Sequence, residues 1–331
     1  MARNRWLRAG VSIAAVALFA WLSRGYWGEI DRLKQLPLWL VPILAALYLA
    51  MRWLNGLAMR AALVALGHRI TVYEAFMLAV LTTYGNLLVP RAGLGVPAIY
   101  LRATRGISYT DFTTQAVVVT IVQTAVLGAA GLACVIAISV MTARATDWLI
   151  GSIFLGAMLA GLGVLVVKPL RQVQDRTGLL ARIRAVLARA SVAWHTVGRS
   201  PKAVLAIILL DLPMLVLRAV RLQLVFWAVG AEVDFLATFV ASALADVMFL
   251  VSLTPSGLGF REAAITYSAT LLGVTPAVAL SVSVIDRLIW TAAVVLVAQV
   301  GMWHLITPAL AKLGGGLPPV GGERSASSTS S

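Results

Sequence analysis

Asp211, Arg218 and Arg221 stand inside an apolar run, 203–229, and further charges (Asp246, Arg261-Glu262 and Asp286-Arg287) fall in or beside the apolar stretches that follow. An Arg or Asp at the centre of a membrane helix costs about 2.5–3.5 kcal/mol on insertion scales, so each needs a partner or water. At 100° per residue, Asp211 and Arg218 share nearly one helix face and Arg221 follows one turn later. Two readings fit these residues. In one, the charges neutralise each other, Asp211 with Arg218 and Glu262 with Arg287, and hold helices together. In the other, they line a wet, cationic cavity for an anionic headgroup, with Asp211, Asp246 and the other carboxylates orienting the guanidinium groups. Arginine suits that task because its planar fork grips two phosphate oxygens at once.

The elements that must position these charges carry a motif that occurs twice. One copy is Pro90-Arg91-Ala92-Gly93-Leu94-Gly95 and the other is Pro255-Ser256-Gly257-Leu258-Gly259-Phe260-Arg261-Glu262. Each follows a long apolar run. Each is followed by a similar triplet, Gly106-Ile107-Ser108 or Gly273-Val274-Thr275, and then by another apolar run. Pro and Gly at membrane depth free backbone groups that lipid cannot satisfy, so a broken helix persists only beside protein or a wet cavity. Two such breaks at corresponding places in two halves point to a transporter binding site. The glycines at 93, 95, 257 and 259 would let backbone N–H groups approach the same phosphate.

Composition agrees with a membrane setting. Of 331 residues 60% are hydrophobic, and the mean hydropathy of +0.92 excludes an ordinary soluble domain. The net charge of +14 is dispersed between apolar runs, which is the positive-inside pattern with affinity for anionic lipid headgroups and not a nucleic-acid surface. The single cysteine, Cys134, offers neither a disulfide nor a metal cluster, and His68, His195 and His304 lack metal-ligand spacing. No cofactor and no metal are expected.

The pattern predicts an all-α polytopic membrane protein with about six spanning helices plus two Pro/Gly-broken re-entrant hairpins. Spans are expected near 7–23, 36–54, 112–141, 148–167, 203–229 and 277–306, and the hairpins near 71–101 and 235–272. The segment 7–23 reads as a retained first helix and not as a cleaved signal. The connection 168–202 holds eight Lys or Arg against one acid, Asp175, and should be cytoplasmic. Its middle, 179–194, has apolar residues at helical spacing and is expected to lie along the inner surface. Parity then places Arg52, Arg60, Arg69, Arg102 and Arg105 inside and Glu232-Asp234 outside, with both termini cytoplasmic. The two hairpins enter from opposite faces, an inverted-repeat-like arrangement of the kind alternating access uses. One transmembrane domain, 1–311, thus contains a first repeat over 71–141 and a second over 235–306, followed by a disordered tail, 312–331.

The stretch Pro255 to Glu262, with Gly273-Val274-Thr275, Ala279 and Asp286-Arg287 beyond it, resembles the lysylphosphatidylglycerol synthase transmembrane-domain family, also called flippase-like integral membrane proteins. The resemblance covers most of the chain and is strongest over 235–301 and then 84–112. It implies a bundle with re-entrant helices that moves an anionic or aminoacylated lipid between leaflets, as in the flippase half of bacterial multiple peptide resistance factors. Other members accompany isoprenoid-phosphate or glycolipid pathways. The first repeat departs from the family pattern: Leu94 follows Gly93 where Glu is usual, Val96-Pro97 stands where an Arg is expected, and Gln123 replaces a common Glu-Arg pair. No soluble aminoacyl-transfer domain is expected.

The leading expectation is a plasma-membrane flippase for a lipid with an anionic phosphate headgroup. Its first-choice site residues are Arg261, Glu262, Asp286 and Arg287. Arg91 and Arg218 come next, and Gly257 and Gly259 shape the loop. Two rivals are an intramembrane transferase, using Glu262, Asp246 or Asp211 as base, and an accessory subunit docking lipid- or glycan-synthesis enzymes through the basic loop. The expected partners are anionic headgroups and the surrounding membrane lipids.

Overall fold

The structure, a computed structural model, describes residues 37–88, 92–142, 148–166, 194–195, 197–198, 200–251, 259–271 and 273–308. The helix expected at 7–23, most of 168–202, the tail and the motif residues Pro90, Arg91, Pro255 and Gly257 lie outside the described residues. Among the described residues there are nine α-helices and no strand. They are α1 (Leu40–Ala65), α2 (Val72–Leu88), α3 (Gly95–Arg105), α4 (Tyr109–Thr142) and α5 (Trp148–Val166), then α6 (Pro201–Ala228), α7 (Phe235–Val251), α8 (Phe260–Leu271) and α9 (Pro276–Gly301). A 3₁₀ turn, Ala92–Leu94, precedes α3 and a π-helical turn, Met302–Ile306, continues α9.

Four stretches, Leu40–Ala65, Tyr109–Met141, Pro201–Ala228 and Pro276–Ile306, are long and apolar enough to cross a membrane. Their faces are inverted relative to a soluble helix. On α6 the apolar stripe Leu205, Leu209, Leu212 and Val216 is exposed while Asp211 and Arg221 are buried. Only an apolar solvent makes that the favourable arrangement. The last span is the centre of the bundle, with 67% of its apolar window buried against 22–33% for the other three. It carries Asp286, Arg287 and Trp290 inward.

Local chemistry sets the helix ends. Thr71 and Glu74 form a reciprocal capping box at the start of α2: the Glu74 carboxylate accepts from the Thr71 N–H at 2.9 Å, and the Thr71 hydroxyl accepts from the Glu74 N–H at 3.2 Å. Proline opens α6 and α9, where its missing N–H would be unpaired anyway. The two triplets build the same turn. Gly106 and Gly273 take positive φ, 67° and 88°, a conformation glycine reaches without a Cβ clash. The next residue, Ile107 or Val274, donates its N–H back to Leu101 or Ala269, and Ser108 or Thr275 starts the following helix.

Several boundaries differ from the sequence expectation. The run expected to end near residue 54 continues as α1 to Ala65, so Arg60 is a helix residue and Arg52 stands mid-helix and not at the helix end. The helix tolerates them because each finds an inward acceptor: Arg52 donates to the Thr83 hydroxyl at 3.1 Å and Arg60 to the Ile70 carbonyl at 3.0 Å. Arg102 and Arg105 likewise lie in the last turn of α3, where cations face the helix's negative end.

Candidate functional site

A cavity of about 340 Å³ opens inside the bundle, bounded by residues of α1, α2, α4, α6, α7, α8 and α9. Four arginines line it: Arg52, Arg218, Arg221 and Arg261. Two carboxylates, Asp211 and Asp246, line it with them. The first half of the chain contributes mainly neutral donors and acceptors, among them Asn55, Thr82, Thr83 and Asn86, with Gln123 from α4.

The arginines are engaged to different degrees. Arg218 is paired with Asp246. Arg261 donates to the Asp286 carboxylate at 2.7 Å, and the same oxygen lies 3.2 Å from Arg221. Asp286, 2% exposed, is therefore a buttress behind the cavity that holds two arginines from α6 and α8 against α9. Arg221 keeps its Nε and Nη1 without a hydrogen-bond partner among the described residues, and so does the Nε of Arg52. Both guanidinium groups lie against the Tyr48 ring, at 5.3 and 5.1 Å from its centroid, and Tyr48 stacks on Trp290 at 5.4 Å. The ring face attracts the cations and fixes their planes without using their N–H groups. Buried charged donors left unpaired cost about 1–3 kcal/mol or more each.

Asp211 is 1% exposed, and neither of its oxygens accepts a hydrogen bond among the described residues. Gln123 is near enough to act on it, although the side-chain amide does not reach hydrogen-bond geometry. Pro213, two residues on, interrupts the α6 backbone ladder at this depth.

Of the residues expected at a site, Arg218, Asp211, Asp246 and Arg261 line the cavity and Asp286 backs it. The expected pair Asp211–Arg218 does not form. Arg218 turns to Asp246 instead, because α7 packs alongside α6 and presents a carboxylate there. The expected pair Glu262–Arg287 does form, at 2.6 Å, away from the cavity wall. Glu262 also accepts the Gly259 N–H at 2.7 Å, which is the cap of α8, and Gly259 has φ of 83°. Glu262 and Arg287 thus fasten the start of α8 to α9.

Sequence reasoning passed over Arg52 and Tyr48 as site residues, and it counted Arg221 among the cavity charges without choosing it for the site. Tyr48 and Arg52 stand four apart on one face of α1, a spacing that could have flagged an aromatic supporting a cation. It also passed over the ion pair of the first broken region. There Arg105 places one nitrogen 2.7 Å from each Glu74 oxygen, and the Tyr100 hydroxyl donates to the same carboxylate at 2.9 Å. These hydrogen bonds hold Arg105 more firmly protonated than usual. Burial, with the bond to Glu74, pushes the Tyr100 hydroxyl up to about 12. Among the described residues no group of His, Cys, Asp or Glu could hold a metal ion.

The family described as Lysylphosphatidylglycerol synthase TM region matches residues 6–298. The chain belongs to that family. It is an integral, multi-pass membrane protein, and the family gives it a membrane lipid-related role. No curated protein and no solved structure matches the chain. The span of the family match takes in every α-helix described here except the last residues of α9, so the cavity and its charges belong to the family's own region.

Proposed function

We propose that the protein moves a lipid with an anionic phosphate headgroup between leaflets, with the headgroup held in the cavity and the acyl or isoprenyl chains left in the bilayer. The observation that carries this reading is the set of four arginines, Arg52, Arg218, Arg221 and Arg261, that line one cavity against two carboxylates, Asp211 and Asp246. Its volume, about 340 Å³, suits a headgroup, because ligand pockets start near 300 Å³. Arg218 and Arg261 add positive potential from positions already braced by Asp246 and Asp286. A phosphate oxygen is the acceptor that a guanidinium edge matches best.

In this reading the breaks between α2 and α3 and between α7 and α8 are re-entrant hairpins that approach the cavity from opposite faces, with both termini cytoplasmic and the plasma membrane as the location. Cysteine accessibility labelling in a Cys134→Ser background tests that topology. External labelling of a cysteine at Arg184 would overturn it. The function is tested in proteoliposomes carrying tracer phosphatidylglycerol, phosphatidate or an isoprenyl phosphate. Transbilayer movement of one of these, recovered chemically intact, is the expected result. A chemically altered lipid would replace the reading with a transferase. Neither movement nor alteration would replace it with an accessory role.

A further inference from the structure

We infer that Asp211 is a proton-binding site that couples lipid movement to the proton gradient, an inference that rests on the transport reading above. Asp211 lies at the cavity, is almost wholly buried, and has no cation within ion-pair distance among the described residues. Its surroundings are few. Arg218 lies on its own helix, Asp246 faces it from α7, and α4 presents only the neutral Gln123. Arg52 of α1, Arg221 of α6 and Arg261 of α8 share the same cavity, with Asp286 of α9 holding the last two of these. Around Arg218, therefore, two carboxylates compete for one guanidinium, and the structure shows Asp246 holding it.

An ionised carboxylate buried without a counter-ion is strongly disfavoured. A proton on one Asp211 oxygen removes that cost and leaves Arg218 with Asp246, the arrangement observed. When Asp211 loses the proton, its charge pulls Arg218 away from Asp246 and loosens the contact between α6 and α7. Asp246 lies in the helix that leads into the second break. Proton release is thereby tied to the position of α7 and α8, and so to Arg261 at the cavity. One proton taken up with one anionic headgroup also lowers the net charge that must cross the low-dielectric core. Intramembrane carboxylates that relay protons in pumps and transporters occupy sites of this kind.

The test uses full-length protein in phosphatidylcholine vesicles carrying tracer phosphatidylglycerol, phosphatidate or an isoprenyl phosphate, with imposed pH gradients of either sign and a trapped pH dye. One pH unit is a tenfold proton gradient, so with one proton per lipid a gradient of the productive sign should drive up to about tenfold accumulation of the tracer in one leaflet, with proton entry that requires the lipid. In Asp211→Asn the dependence on the gradient should vanish, while Asp211→Glu, which keeps a titratable carboxyl, should retain it. Lipid movement in the wild-type protein that ignores the gradient would overturn proton coupling and leave the transport reading standing, and this outcome needs no variant to fold. A folded Asp211→Asn that still follows the gradient would overturn the assignment to Asp211. No movement of any of the three lipids under any gradient would overturn both readings.

Discussion

In the first broken region the charges sit at the base: Arg105, at the end of α3, reaches back to Glu74 at the start of α2, with Tyr100 and Thr71 on the same carboxylate. Among the described residues of the break, Gly93 donates its N–H to Asn86 at 2.9 Å and so closes the turn against α2. In the second region the charges sit at the break. Arg261 and Glu262 open α8 and meet Asp286 and Arg287 of α9. The two regions share their following turns but not their electrostatics. The first lends the cavity hydroxyls and amides, and the second lends it cations. Among the described residues the two regions divide the labour and do not mirror each other.

The largest effect should come from removing the buttress of the second region. Asp286→Asn leaves Arg221 and Arg261 without their shared carboxylate, and removing one partner of a buried ion pair costs about 3–5 kcal/mol. The thermal unfolding midpoint in detergent should drop more for Asp286→Asn than for Glu74→Gln. The latter strips a carboxylate whose arginine is 40% exposed and should cost about 1–3 kcal/mol. If Glu74→Gln proved the more damaging, the base of the first hairpin would be the true keystone.

Gly93→Ala comes next. A Cβ there would sit 1.9 Å from the Thr82 carbonyl oxygen and 2.7 Å from Asn86, so the 3₁₀ turn must move off α2, at about 1–3 kcal/mol. Gly259→Ala should cost a similar amount for a different reason. Nothing lies near its Cβ, but its φ of 83° is one that L side chains rarely adopt, a penalty of about 1–2 kcal/mol. Gly95→Ala meets open space and should change stability by less than about 0.5 kcal/mol. Denaturation of the three side by side separates a crowded glycine, a left-handed glycine and a free one within one repeated motif.

Much of this was legible beforehand. The helical class, both breaks, the paired turns at Gly106 and Gly273 and the converging charges of the second half all follow from apolar runs punctuated by Pro, Gly and ionised residues. Partner choice was not legible. Asp211, Arg218 and Arg221 lie on one helix, and periodicity alone pairs the first two. Only the packing of α7 against α6 gives Arg218 to Asp246. Arg52 was hidden because it stood near the expected end of a span and was assigned to the cytoplasmic side, whereas the helix continues to Ala65 and turns the charge inward. Glu262 was expected at the site as a carboxylate that orients an arginine, yet it and Arg261 are adjacent helix residues and point about 100° apart. One meets the cavity and the other caps the helix.

The central claim is that the arginines lining the cavity handle the lipid while the Glu74–Arg105 ion pair of the first broken region holds structure. The direct measurement is transbilayer movement of the anionic tracer lipid per folded molecule, compared for Arg261→Lys, Arg221→Lys and Arg105→Lys. Each variant keeps its charge and loses the planar fork. Loss of one charge-assisted hydrogen bond, about 1.5–3 kcal/mol, should slow Arg261→Lys and Arg221→Lys by roughly ten- to a hundredfold, while Arg105→Lys loses stability but keeps its specific rate. Equal specific rates in all three would contradict the account and leave the buried arginines as devices for packing helices.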